Sequence, residues 1–226
     1  MRKIFKILTI NLENKMSCID HDRKFIFIHI PKCAGTSMES VSWCRGQGHS
    51  TIRDAYMRSR SDHHSFNFQK YYKWCFVRNP WDRAFSAWDF HIKLKQQGIN
   101  TFEKFINILH KEKHKISNLP HISWGSSVER PYINGFGDIQ RIHFFPMLPL
   151  LKLDNKIHMD FIGKYESIQK DWIKIRNTVA PDQDTALPHF HNRKDPEPYA
   201  SHYTAPLRDK VGEIYQEDIE YFNYKF

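Results

Sequence analysis

In the stretch Ile30-Pro-Lys-Cys-Ala-Gly-Thr-Ser37 a lysine, a glycine and two hydroxyl residues follow directly on an apolar run. Where a buried strand turns into a helix, the turn exposes backbone N–H groups, those of Cys33 and Ala34 among them. The helix start adds the positive end of its dipole, so the place suits a phosphate or a sulfate. Gly35 permits close approach of the backbone, Thr36 and Ser37 offer hydroxyl donors, and Lys32 brings a point charge on a flexible stem. The order is not that of a Walker A loop, where the lysine follows the second glycine; here Lys32 precedes Gly35. A nucleoside-triphosphate kinase would also need an acidic ligand for magnesium, and no residue is assigned to that task. Taken alone, such a turn reads as readily as an ordinary helix cap.

A second group of the same kind lies in Cys75-Phe-Val-Arg-Asn-Pro-Trp-Asp-Arg-Ala-Phe-Ser86. Arg78 would close a strand, and Ser86 would stand two turns into the helix that follows. In a parallel sheet both strands end on one edge, where α/β proteins bind ligands. Two anion sites on one edge suit a nucleotide phosphorylated at both its 5′ and 3′ positions.

The elements that must hold these groups can be read from periodicity. Phe25-Ile-Phe-Ile-His-Ile30, stopped by Pro31, reads as a buried strand. Thr36 or Ser37 is expected to cap a helix running to about Trp43, ended by the Gly- and Ser-containing stretch 45–50. Residues 72–77 read as a second strand, after which Asn79 caps a helix with Pro80 in its first position, running to about Lys95. Its inward face would carry Ala84, Phe85, Trp88 and Ile92. Further helices are expected over 101–115 (Phe102, Phe105, Ile106, Leu109), 167–179 (Ile168, Trp172, Ile175) and 204–221 (Leu207, Val211, Tyr215, Ile219), with a strand over 159–163. The Pro-, Gly-, Ser- and Asn-rich segments 117–137 and 189–201 read as long surface loops. Strands alternating with helices predict a three-layer α/β/α fold around a central parallel sheet.

Composition sets the bounds. The 226 residues, 40% of them hydrophobic, suit a variable lead-in over 1–23 and a single domain over 24–226. With 34 Lys+Arg against 25 Asp+Glu the net charge is +9, a field that attracts phosphate, sulfate, nucleic acid or acidic glycans. Basic, aromatic-rich RNA-binding motifs are lacking, which argues against nucleic acid. Cys18, Cys33, Cys44 and Cys75 have no CxxC spacing and are expected to be reduced thiols. The short apolar run near the N-terminus is interrupted by Asn11, Glu13, Asn14 and Lys15, so neither an export signal nor a membrane anchor is read, and a cytoplasmic location is expected.

The pieces FIFIHIPKCAGTS, FVRNPWDRAFSAW, MDFIGKYESIQKDW and YQEDIEYFNYKF, spanning most of 25–226, together resemble the sulfotransferases that use 3′-phosphoadenosine-5′-phosphosulfate (PAPS). The likeness is to the carbohydrate branch, with the heparan-type 2-O-sulfotransferases and their bacterial relatives. It implies a P-loop-like, nucleotide-kinase-related fold, PAPS as donor and adenosine-3′,5′-bisphosphate as product. It also implies that Lys32, Cys33, Ala34, Gly35, Thr36 and Ser37 hold the 5′-phosphosulfate, and Arg78 with Ser86 the 3′-phosphate. The chain departs from the family pattern after Pro146, where members often carry Gln and this chain has Met147.

Sulfuryl transfer needs an in-line acceptor oxygen, a cation where charge grows on the leaving phosphate, and a base; it requires no metal in principle. Lys32 suits the second task. For the base, Asp62-His-His-Ser-Phe66 lies where the heparan-type enzymes carry their catalytic histidine, which points to His64, with His63 next and Glu39 or Asp62 as acidic alternatives. No zinc-type spacing surrounds the pair. Arg193 and Lys194 are loop candidates for closing over the nucleotide or meeting an acidic acceptor, and Trp124 for stacking on a sugar. Two other classes stay open: a phosphoryl kinase, which would depend on magnesium, and a polyanion-binding module, whose affinity would fall steeply with salt.

Overall fold

Phe25–Ile28 carries no side chain that could face water, and all four residues are buried in one strand, β2. The computed structural model describes residues 18–44, 49–61, 65–114, 141–184, 186–188 and 197–226. The strands in chain order are β1 (Ile19–Asp20), β2, β3 (Tyr72–Val77), the hairpin pair β4 (Lys152–Leu153) and β5 (Lys156–Ile157), and β6 (Phe161–Lys164). The main sheet has the order β1-β2-β3-β6. β2 and β3 run parallel with Ile28 opposite Cys75, β3 and β6 run parallel with Val77 opposite Lys164, and β1 is an antiparallel edge. Strands covered on both faces need unbroken apolar runs, which is why β2 and β3 show no alternation. The fold is α/β, a mixed sheet with a parallel centre flanked by helices.

Those helices are α1 (Gly35–Glu39), α2 (Ile52–Ser59), α3 (Pro80–Phe90), α4 (Ile92–Gln96), α5 (Phe102–Lys111), α6 (Ile168–Val179), α7 (Ala205–Ile214) and α8 (Gln216–Phe222). Asn79 Oδ1 accepts the Trp81 N–H at 3.0 Å with Pro80 in the first position, and Thr101 Oγ1 accepts the Lys104 N–H at 3.1 Å. Phe102, Phe105, Ile106 and Leu109 form the buried face of α5. Trp74 of β3 stacks on Phe27 of β2 (centroids 4.3 Å apart) and meets Trp172 of α6, on which Trp43 stacks at 5.0 Å. This indole column ties the sheet to its helices. At Gly163 an added Cβ would fall 2.6 Å from the Phe76 ring, so only glycine lets β6 lie against that side chain.

Three helix readings need correction. The helix after the lysine loop is only Gly35–Glu39, and its N-cap is Ala34 in the left-handed region (φ 65°), with neither Thr36 nor Ser37 as cap. The helix expected to reach Lys95 breaks at His91 (φ −91°, ψ 82°) into α3 and α4. The one expected over 204–221 breaks at Tyr215 into α7 and α8. At both breaks the side chain of the residue bonds the segment Ile142–Leu148. His91 Nε2 lies 2.7 Å from His143 Nδ1, and Tyr215 donates its hydroxyl to the Phe144 carbonyl at 2.7 Å. Helix α2 was not anticipated, although Thr51 and Asp54 form a capping box at its start. Among the described residues no helix is long and apolar enough to cross a membrane, and all four cysteines are buried and free.

Candidate active site

The turn between β2 and α1 is strained in a way that shapes it. Lys32 (φ 67°) and Ala34 (φ 65°) both occupy the left-handed region, which for residues with a Cβ costs about 1–2 kcal/mol each. Such turns orient backbone N–H groups inward as an anion-binding concavity. The strain is held from below. Arg83, 1% exposed on α3, donates from Nε to the Pro31 carbonyl at 3.0 Å and from Nη1 to the Phe145 carbonyl at 2.7 Å, with Nη2 3.5 Å from the Ile142 carbonyl. No carboxylate pairs with Arg83 among the described residues, so its charge adds to the positive field under the turn.

Gly35 has a reason that differs from the expected one. A Cβ there would fall 2.0 Å from the His29 ring, so the glycine makes room for an imidazole beneath the loop. His29 Nδ1 lies 3.0 Å from Glu39 Oε2, which engages the acidic base candidate Glu39 inside this packing. Gly35→Ala is expected to lower stability by about 1–3 kcal/mol through overpacking, read as a lower urea midpoint, and to cost much less when introduced into a His29→Ala background. A single variant as stable as the wild type would contradict the packing account.

Lys32 is half-buried, its Nζ 3.7 Å above the centre of the Phe90 ring. Burial, then the neighbouring Arg78 charge, lowers its pKa to about 8. Arg78, at the end of β3 and 7% exposed, pairs through Nε with Asp82 Oδ2 at 2.6 Å, lies 4.1 Å over the Tyr165 ring, and donates from Nη1 to the Lys32 carbonyl at 3.1 Å. The Arg78 guanidinium therefore lies against the backbone of Lys32. Thr36 is exposed, Ser37 is buried, and Ser86 is half-buried on α3, so the three hydroxyls differ in access to a ligand. Cys33 is buried with Sγ 3.8 Å from Met147 Sδ, and burial pushes its thiol up to about 12, which leaves it a packing role. Met147 thus packs against the underside of the loop, and its N–H bonds Asp218 Oδ2 at 2.7 Å.

His64, His63, Asp62, Trp124, Arg193 and Lys194 lie outside the described residues. Sequence reasoning missed Arg83, one of many arginines until its acceptors are known, and a row of imidazoles beside Lys32. In that row His49 Nε2 lies 3.1 Å from His143 Nε2, and His143 Nδ1 lies 2.7 Å from His91 Nε2. The sequence distances between these histidines give no signal that they meet. Among the described residues no cluster of His, Cys, Asp or Glu is arranged to hold a metal ion.

A model of the sulfotransferase family matches residues 15–225. No curated protein and no solved structure matches the chain. Because the family match takes in the lysine loop, Arg78 and every strand of the sheet, the chain belongs to the sulfotransferase family, the enzymes that transfer sulfuryl groups.

Proposed function

We propose that the chain transfers a sulfuryl group from PAPS to a hydroxyl of a carbohydrate, an acidic glycan by preference. The observation that carries this reading is the hydrogen bond from Arg78 Nη1 to the Lys32 carbonyl at 3.1 Å, which supports a 5′ and a 3′ anion site lying side by side on the sheet edge. The residues present fit such a donor: Lys32, Arg78 and the buried Arg83 converge on the turn, and Asp82 is paired with only one of them, so a nucleotide phosphorylated at both ends would supply negative charge to the rest.

In the proposed chemistry Lys32, with the N–H groups of the turn, stabilises charge on the 5′-phosphate oxygen as its bond to sulfur breaks. Arg78 and Ser86 hold the 3′-phosphate. His64 takes the acceptor's hydroxyl proton while the new O–S bond forms, and adenosine-3′,5′-bisphosphate leaves. The net charge of +9 favours an acidic acceptor, and we place the reaction in the cytoplasm, on a precursor of a surface polysaccharide. A screen in which no acidic glycan is sulfated would remove that acceptor class.

Calorimetric titration with adenosine-3′,5′-bisphosphate tests the donor site. Each lost charge-assisted hydrogen bond costs about 1.5–3 kcal/mol, so Lys32→Ala and Arg78→Ala should each weaken binding about tenfold or more. His64→Ala should bind as the wild type does and lose turnover. Wild-type-like binding in both cation variants would defeat the donor assignment, and full turnover without His64 would remove that residue from the mechanism.

A further inference from the structure

The imidazole row beside Lys32 has a direction that its hydrogen bonds fix. His49 Nδ1 faces the His29 carbonyl at 3.4 Å. A carbonyl only accepts, so Nδ1 carries the proton and Nε2 of the neutral ring is bare. Across from it at 3.1 Å, His143 Nε2 must then donate, which leaves His143 Nδ1 bare. His91 Nε2, 2.7 Å away, must donate in its turn. Each tautomer follows from the one before it, and the last lone pair, Nδ1 of the half-buried His91, makes no hydrogen bond among the described residues.

Every N–H of the row points away from His91, so the negative ends of the ring dipoles face it and favour a positive charge there. Without a bound anion that charge is opposed. Burial and then Lys32 lower His91 to about 4, and burial and then His29 lower His49 to about 3. Burial, followed by His49 and His91, lowers His143 as well. The charged groups around the row are Lys32 from the loop, Arg83 from α3, Asp89 paired with Lys95, and Glu39 behind His29. The Phe90 ring has the Lys32 ammonium over its face, and its centre lies 5.2 Å from that of His91 and 5.6 Å from that of His143. A polyanion drawn to Lys32 therefore enters beside His91 and reverses the sign of the local field.

We propose that His91 is a second cation of the donor site, created by the donor: as the nucleotide binds, Nδ1 of His91 takes a proton from solvent and the imidazolium donates it in a hydrogen bond to the bound anion, with His143 and His49 as the residues that position it. The lone pair on Nδ1 becomes an N–H bond, Nε2 keeps its proton on His143, and no bond of the protein breaks. The protein thus avoids two adjacent cations until an anion binds and has both once it does. This rests on the reading that the site binds PAPS.

Imidazole nitrogen shifts, read by long-range nitrogen–proton NMR at pH 6.5, test it with adenosine-3′,5′-bisphosphate as the probe. Without nucleotide, His91 and His143 should show the Nε2–H tautomer and His49 the Nδ1–H tautomer. At saturation His91 should move to the imidazolium signature, and His91→Gln should bind about tenfold more weakly, the loss of one charge-assisted hydrogen bond. His143→Phe should still bind nucleotide but leave His91 neutral, which a merely structural role for His143 would not do. Tight binding with His91 neutral overturns this inference and leaves the donor assignment standing. Failure of the wild type to bind overturns both.

Discussion

Replacing Lys32 with alanine should cut turnover about a hundredfold to a thousandfold, or about 2.7–4 kcal/mol of transition-state stabilisation, the range for removing one preorganised electrostatic donor. The ammonium is set for this by its surroundings. It is half-buried against Phe90, where a charge acts through less water than at the surface. Its backbone is fixed by strain at φ 67° and by Arg78 on its carbonyl, so little reorganisation is needed during transfer. Lys32→Arg should recover little, because a planar fork does not replace a point charge at one bridging oxygen.

The same burial gives a pH dependence with a definite sign. Lys32 titrates at about 8 in the folded protein, against 10.5 ordinarily. Anions bind the protonated form, so the contribution of Lys32 to nucleotide affinity should be full below about pH 8 and fall above it, by up to about tenfold per pH unit. Between about 8 and 10.5 the unfolded chain holds this proton and the folded chain does not. The cost of burying the charge is therefore present in full below pH 8 and is relieved as pH rises through that window. Calorimetry across pH 7–10 on the wild type and Lys32→Ala checks both, since the variant should lose the decline.

The second large effect is expected at a residue that need not touch substrate. Arg83→Met should lower stability by about 3 kcal/mol, a fall in Tm of about 6–12 °C for a chain of this size. The substitution relieves the burial of a charge but takes the guanidinium donor from the buried carbonyls of Pro31 and Phe145, while the Ile142 carbonyl keeps the Phe145 N–H. With the Phe145 carbonyl stranded and the Pro31 carbonyl left only the weak Cys33 thiol donor, at about 1–3 kcal/mol each, the penalty exceeds the relief. Thermal unfolding measures the loss. Arg83→Lys keeps the charge but not the three-way reach, so it should be intermediate in Tm and still bind nucleotide weakly. A wild-type melting temperature in Arg83→Met would show that the loop needs no support from below.

What could be read from the sequence was what depends on neighbours along the chain. β3 lies at 72–77 as its apolar run indicates, Asn79 and Pro80 start α3, and the spacing of Phe102, Phe105, Ile106 and Leu109 gave the buried face of α5. Periodicity failed where a side chain's partner is remote. His91 and Tyr215 sit in helical patterns, yet each stands at a helix break and bonds the segment Ile142–Leu148. Gly35 was legible as a required glycine, whereas the obstacle that requires it, the His29 ring, was not. Thr51 and Asp54, a capping box four residues long, are a local start signal for α2. Lys32 and Arg78 were found by residue type at the ends of strands; Arg83 and the imidazole row are defined only by what they touch across the fold.

A single comparison bears most directly on whether one nucleotide spans both anion sites: the affinity of adenosine-3′,5′-bisphosphate against adenosine-5′-phosphate, in the wild type and in Arg78→Ala. If Arg78 holds the 3′-phosphate, deleting that phosphate should weaken wild-type binding about a hundredfold, the worth of two charge-assisted hydrogen bonds at the lower end of their range. In Arg78→Ala the two ligands should bind almost alike. Should Arg78→Ala weaken both ligands by the same factor, Arg78 would be only a prop for the Lys32 loop, and no single nucleotide would bridge the two sites.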